Sequence, residues 1–128
     1  SAIIKDLNTA LSILLKVKAM GVRLHLDDFG QGYSSINLLH KLPFDTMKID
    51  RSFVSGIAAN SINRDVVKTI INLGHTMHKK VIAEGIEEAG EADALKDFSC
   101  ENGQGYYYAK PMDKNDLETY ILSQFKEV

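Results

Sequence analysis

Leu24-His25-Leu26-Asp27-Asp28-Phe29-Gly30-Gln31-Gly32-Tyr33-Ser34-Ser35 is an alternating run that ends in two adjacent carboxylates. A glycine-rich turn follows at once, then a Ser-Ser pair able to start a helix. The pattern describes a strand that delivers acids to the open end of a sheet, where loops build sites. Three later segments repeat the plan with a different polar residue at each tip: Met47-Lys48-Ile49-Asp50, Val81-Ile82-Ala83-Glu84-Gly85 and Gly103-Gln104-Gly105-Tyr106.

Outward from these tips the chain alternates. Upstream, Leu11, Leu14, Leu15 and Val17 recur at helical spacing after a start at 6–9, and Gly21 sits at the C′ position behind Lys16 and Lys18. Val22 to Asp27 reads as the first strand and 28–33 as a loop. Ser34 or Ser35 caps a short helix with Ile36, Leu38 and Leu39, which Pro43 ends. Thr46 to Asp50 is the second strand. Ile62 to His78 is the longest helical pattern, with Val66, Val67, Ile70, Ile71 and Leu73 on one side. Lys80 to Ala83 is a third strand and Glu88 to Phe98 a helix. Gly103 to Tyr108 is a fourth strand, and Asp113 caps a last helix through Gln124. One helix and four strand–helix units with short loops predict parallel strands with helical crossovers.

Side chains on a strand alternate between faces. Leu24 and Leu26 share one face, while Arg23, His25 and Asp27 share the other. Met47 and Ile49 oppose Lys48 and Asp50, and Val81 and Ala83 oppose Ile82 and Glu84. Outer helices require the apolar set, so Asp27, Lys48, Asp50 and Glu84 fall on the face away from them. In an open doubly wound sheet both faces are covered and both read apolar. A polar inner face instead favours the wall of a (β/α) barrel, whose active sites sit at the C-terminal strand ends. Taken singly, Asp28 or Glu87 reads equally well as an N-cap, and Lys48 with Asp50 as a structural ion pair. Four such residues of one parity at one end, followed by Gly30, Gly32, Gly85 and Gly105, read together as a site.

The 128 residues suffice for one domain with a core. Composition is that of a globular protein, 45% hydrophobic and 25% charged, with a net charge of −2 and no long run of one sign. That balance excludes a domain whose main task is gripping a DNA or RNA polymer. No apolar run is long enough to span a bilayer, and no secretory signal opens the sequence. Cys100 is the only cysteine, so no intrachain disulfide forms. A reducing, cytoplasmic setting follows, with Cys100 a structural thiol. His75 and His78 lie one helical turn apart, but no third His or Cys accompanies them, so they read as a solvated or half-buried pair.

Carboxylate oxygens suit hard divalent cations. Asp27, Asp28 and Glu84 could hold one or two Mg²⁺ or Mn²⁺ ions, a lysine could polarise an attacking water, and Glu84 could serve instead as base. This set fits metal-assisted phosphodiester hydrolysis, among other metal chemistries.

Asp27-Asp28-Phe29-Gly30-x-Gly32-Tyr33-Ser34-Ser35, then Leu42-Pro43-Phe44-Asp45-x-x-Lys48-Ile49-Asp50-Arg51-Ser52-Phe53-Val54, then Ile82-Ala83-Glu84-Gly85-Ile86-Glu87, then Gln104-Gly105-Tyr106 with Lys110-Pro111 resemble the EAL domain. That family comprises bacterial phosphodiesterases of the second messenger cyclic di-GMP, with a TIM-like barrel and two Mg²⁺ or Mn²⁺ ions, and it yields pGpG. The resemblance implies that Asp27 and Asp28 are metal ligands and that Lys48 contacts the attacking water. It makes Glu84 the acid often assigned as general base and places Gln104 beside water and substrate. Asp50 and Glu87 are implied as supporting residues. Phe29, Gly30, Gly32, Tyr33, Ser34 and Ser35 resemble the family's mobile loop, linked to metal binding and dimerisation. Gln31 departs from the usual threonine there, and Ser99-Cys100-Glu101-Asn102 from a Gly-Cys-Asp pattern.

The Glu-Ala-Leu tripeptide, the metal-binding asparagine and the next metal-binding glutamate are absent. Residues 1–128 are therefore expected to be the C-terminal half of a single EAL domain, roughly strands five to eight of an incomplete TIM-like (β/α) barrel with a two-metal site incomplete in this fragment. The parent is expected to be a cytoplasmic or membrane-anchored phosphodiesterase, homodimeric, with GGDEF or sensory modules as companions. The fragment alone is expected to be inactive. A degenerate domain serving as cyclic di-GMP receptor or protein-interaction scaffold is the alternative, and closure of the open edges by a second copy is a third expectation.

Overall fold

The computed structural model describes residues 7–29 and 36–125. Helix α1 (Leu7–Ala19) leads into strand β1 (His25–Phe29) and helix α2 (Ile36–Lys41). Strand β2 (Thr46–Ile49) is followed by the single-turn α3 (Arg51–Val54) and the long α4 (Ser61–Thr76). Strand β3 (Lys80–Ala83), helix α5 (Ala89–Asp97), strand β4 (Asn102–Gly103) and helix α6 (Lys114–Phe125) complete the order. The four strands form one sheet in the order β1-β2-β3-β4. All three pairings are parallel, and each connection contains a helix, as such strands require.

The core lies on one face of the sheet. Met47 and Ile49 of β2 and Val81 and Ala83 of β3 are buried against Val54, Ile57, Val67, Ile71 and Ile86. Val67, Ile70 and Ile71 occupy the inner stripe of α4, as the spacing predicts, while Val66 stands at 36% exposed on its margin. Asn60 caps α4 by accepting from the Asn63 amide, and Asp113 caps α6 by accepting from the Asp116 amide at 2.9 Å. Gly21 takes φ 86° behind α1, the left-handed turn expected of a C′ glycine.

Three strands differ from their expected bounds, β2 only by ending at Ile49 instead of Asp50. The first begins at His25, because the Leu24 amide is taken by the Asp45 carboxylate at 2.9 Å, while the Leu24 carbonyl accepts from the amides of Asp45 and Thr46. The fourth ends after two residues. The Gln104 amide donates to the Ala83 carbonyl, but the Tyr107 amide turns back to the Ile86 carbonyl and Tyr108 closes on Gly105. Residues 105–108 are therefore a turn that covers Ile86 instead of an extended strand.

Helices α1 and α6 bury no residue. Ile13, Leu15, Leu117, Ile121, Leu122 and Phe125 are among the large apolar side chains left exposed on them. Strands β1 and β4 each carry one neighbour within the sheet.

Asp45 ties α1 to the sheet through Lys18, whose Nζ lies 2.8 Å from its Oδ1. That hydrogen bond first, and then the Leu24 amide, hold the Asp45 carboxyl below its ordinary value. A depressed carboxylate stabilises the fold above its unfolded pKa, and the gain is lost as pH falls through the folded value. Because the pair is a third exposed, Asp45→Asn should cost under about 1 kcal/mol at about pH 6, and the deficit should shrink towards about pH 3. Urea midpoints of the two proteins at both pH values test this; a deficit independent of pH would overturn it.

Candidate active site

The registry of β1 against β2 slips at the carboxylates. Leu26 stands opposite Met47 and Phe29 opposite Ile49, so Asp27 and Asp28 together face the single position Lys48. This is a β-bulge, with two residues against one. Strict alternation would send Asp28 to the helix side, but the extra residue on β1 interrupts that alternation. Positions 26 and 29 keep their pairing with Met47 and Ile49. Lys48 in turn pairs with Ile82, and Ile82 with Asn102.

Glu84 follows β3 directly, its amide donating to the Ile49 carbonyl at 3.1 Å. Its carboxylate reaches across the strand end to Lys48, with Oε1 2.8 Å from Nζ and both side chains about one-fifth exposed (22% and 23%). Lys48 thus meets an acid from the next strand. Asp50 lies one residue past β2, and its Oδ2 accepts from the Ser52 amide at 2.8 Å, which caps α3.

The segment after β3 is held through the amides of Glu84, Ile86, Glu87 and Glu88. Gly85 adopts φ 75°, and a Cβ there would collide with Cβ of Arg51, so only glycine fits. The Ile86 amide donates to the Gln104 carbonyl. The amides of Glu87 and Glu88 both donate to Oε1 of Glu91, at 2.9 and 3.1 Å. The other oxygen of Glu91 accepts from Gly56 at 2.6 Å, in the turn that closes α3. Glu91 is 3% exposed. Burial pushes its carboxyl up, but the amides of Glu87, Gly56 and Glu88 together outweigh that and hold it below its ordinary value. Beside this segment Arg51, Gly85, Glu87, Gln104, Gly105 and Tyr106 line a shallow cleft of about 180 Å³.

The expected residues therefore divide. Asp27, Asp28, Lys48, Glu84 and Gln104 occupy the C-terminal ends of four consecutive strands, and Asp50 and Glu87 sit one step behind them. Gly30, Gly32, Tyr33, Ser34 and Ser35 lie outside the described residues. His25 lines a basal concavity with Arg23, Thr46 and Lys80 at the opposite strand ends. His75 contacts Glu101 at 2.6 Å, the other Glu101 oxygen accepting from Val81. Cys100 is half-buried, burial pushes its thiol up, and its Sγ donates to backbone carbonyls, as a structural thiol would. The alternation missed Glu91 and Arg51. For Glu91 the sequence did carry a signal, since Glu88 and Glu91 form a capping box at the start of α5.

Among the described residues no group of three or more His, Cys, Asp or Glu side chains gathers as a metal cluster. Asp27 and Asp28 are hard oxygen donors adjacent at the bulge, so the donor set fits Mg²⁺ or Mn²⁺ in kind, with further donors needed to complete a coordination shell.

A parallel α/β sheet with acids and a lysine at its C-terminal edge defines a strand-end site of the barrel class. A family model described as the EAL domain matches residues 1–111, and the chain belongs to that family. It is 35% identical over 120 residues to the cyclic di-GMP phosphodiesterase NbdA of Pseudomonas aeruginosa, covering 94% of this chain and 15% of that protein. It is 38% identical to the bifunctional diguanylate cyclase/cyclic di-GMP phosphodiesterase MucR of the same organism, over 91% of this chain and 17% of that one. Among solved structures, the MucR phosphodiesterase in complex with c-di-GMP aligns with TM-score 0.83 and 38% identity, over 91% of this chain and 47% of that chain. The EAL domain of Mycobacterium smegmatis DcpA aligns with TM-score 0.86 and 35% identity, over 92% and 53%. The chain thus spans about half the length of these solved domains and a small part of the curated relatives. No helix among the described residues is long and apolar enough to cross a membrane.

Proposed function

We propose that residues 1–128 are the C-terminal half of an EAL domain that hydrolyses cyclic di-GMP to pGpG in the bacterial cytoplasm. The observation that carries this reading is the Lys48–Glu84 pair at 2.8 Å, beside the bulge that brings Asp27 and Asp28 to the same strand end. In this reading water oxygen attacks one phosphorus, and the bond from that phosphorus to the ribose 3′ oxygen breaks. Glu84 receives the proton of the water, Lys48 orients the water's oxygen, and Gln104 donates or accepts a hydrogen bond beside it. The 3′ oxygen leaves with the electron pair of that bond and takes a proton from solvent, to which Glu84 returns its own, so one water is added, one ring bond opens and a linear dinucleotide remains. Asp27 and Asp28 would hold Mg²⁺ or Mn²⁺, which, when bound, neutralises phosphate charge and makes water more acidic. Asp50 and Glu87 support these groups from behind. A homodimer of the complete domain, with a GGDEF or sensory module in the same polypeptide, belongs to the same proposal.

The test is turnover of cyclic di-GMP to pGpG with Mg²⁺ or Mn²⁺. This chain alone is expected to show none, since the acids present do not complete a metal shell. The same chain preceded by the front half of an EAL domain is expected to turn over. Turnover by the chain alone at the rate of the complete domain would overturn the half-site reading. Tight binding without turnover by the complete domain would transfer the protein to the receptor reading.

A further inference from the structure

Glu91 has no part in the chemistry just described, yet it is the most buried charged side chain among the described residues, at 3% exposed. A capping box alone requires its Oε1 to meet the amides at the start of α5. It does not require Oε2 to reach Gly56, 35 residues earlier in the chain. That second reach joins two loops. Gly56 closes the turn after α3, and the first residue of α3, Arg51, is the wall against which Gly85 is pressed. Glu91 therefore grips both sides of the Gly85–Arg51 contact: α3 through Gly56, and the segment bearing Glu84 and Glu87 through the amides at 87 and 88. Between these grips the Glu84 and Ile86 amides are fixed to Ile49 and Gln104, so the segment has few free torsions left.

We infer that Glu91 is a positioning residue, whose carboxylate sets where the 84–88 segment holds Glu84 against Lys48. Its catalytic consequence rests on the function proposed above; its structural consequence does not. Neighbouring charges leave the role to Glu91: Glu87 and Glu88 are exposed, the Glu88 side chain accepting from the Glu91 amide in the capping box, and Lys96, the basic residue in the last turn of α5, is also exposed.

Glu91→Gln is the graded probe. Its amide oxygen can keep one set of bonds, but its NH₂ must then face an N–H donor, so at least one grip is lost while the side-chain volume is kept. In this chain, labelled at lysine Nζ and glutamate carboxyl carbons, the variant is expected to shift the resonances of Lys48 and Glu84 and to speed amide exchange at Gly56. Loss of a helix cap alone would speed exchange only in the first turn of α5. Unmoved Lys48 and Glu84 resonances, with accelerated exchange confined to α5, would overturn the inference. Glu91→Asp serves as a second variant, one methylene shorter and still charged. It is expected to move the same resonances, and full retention of the wild-type spectrum would count against the inference. In the complete domain Glu91→Gln should lower kcat about tenfold or more with KM within about threefold, as for a misplaced reacting group. Equal kcat in variant and wild type would likewise overturn it. A wild-type domain without turnover would remove the proposed function while the resonances still decide the role of Glu91.

Discussion

Glu84→Gln in the complete domain is expected to lower kcat for cyclic di-GMP hydrolysis by about 10²–10⁴-fold, the range for loss of a general base. Glutamine keeps the shape of the side chain and can still touch Lys48 through its amide oxygen. It cannot take a proton from water. The Lys48–Glu84 contact at 2.8 Å places the acceptor beside the cation meant to orient that water, so both groups act at one point. Binding of cyclic di-GMP, measured by calorimetry, should stay within about threefold, because the interaction removed is made in the transition state. Lys48→Met should be as damaging, and the double variant scarcely worse than either single one, as for groups acting as a unit. A Glu84→Gln enzyme within threefold of wild-type kcat would remove Glu84 from the role of base.

The second large effect concerns stability. Gly105→Ala is expected to destabilise the fold by about 3 kcal/mol or more, at the upper end for overpacking. A Cβ at position 105 would run into the backbone of Ile86, colliding with its oxygen and nitrogen and lying 2.7 Å from its carbonyl carbon. Backbone cannot rotate away as a side-chain tip can. Ile86 is 1% exposed, its amide is held by Gln104 and its carbonyl by Tyr107. Relief of the clash must therefore break one of these bonds or open the core. Gly56→Ala is the matched control. It has φ 73° and nothing within 4 Å of the added atom, so only the left-handed backbone is penalised, by about 1 kcal/mol. Urea unfolding of the two variants should separate them by about 2 kcal/mol. Equal midpoints would show that the 105 turn yields more readily than the geometry indicates.

The alternation of strands and helices was legible because each strand tip carries its own punctuation: the acids before Gly30, Asp50 before α3, Glu84 before Gly85. The core stripe of α4 and the buried faces of β2 and β3 follow from period alone. The bounds of β1 and β4 did not, since they depend on groups remote in sequence. Asp45 takes the Leu24 amide, and the backbone of Ile86 draws Tyr107 out of the extended path. At the site, the polar identity of each tip could be read, but not the partner. Lys48 has an acid two residues away, and only the fold brings Glu84 to it. Glu91 shows the same limit, for a capping box is visible in sequence whereas its bond to Gly56 spans 35 residues.

The slip between Leu26 and Phe29 has a consequence for what mutation can do to this chain. Because two residues on β1 answer one on β2, the ladder itself requires only one residue there, and the second acid is surplus to strand pairing. Exchanging either acid for a neutral residue of similar size leaves positions 26 and 29 in step with Met47 and Ile49. Deleting either one removes the bulge and leaves one residue facing Lys48, with Phe29 still opposite Ile49 and one acid lost from the strand end. Loss of chemistry by substitution and loss by deletion of one acid are therefore both compatible with the pairing of β1 and β2. A lineage that abandons hydrolysis here is free both to change the letters of the dipeptide and to shed its extra residue.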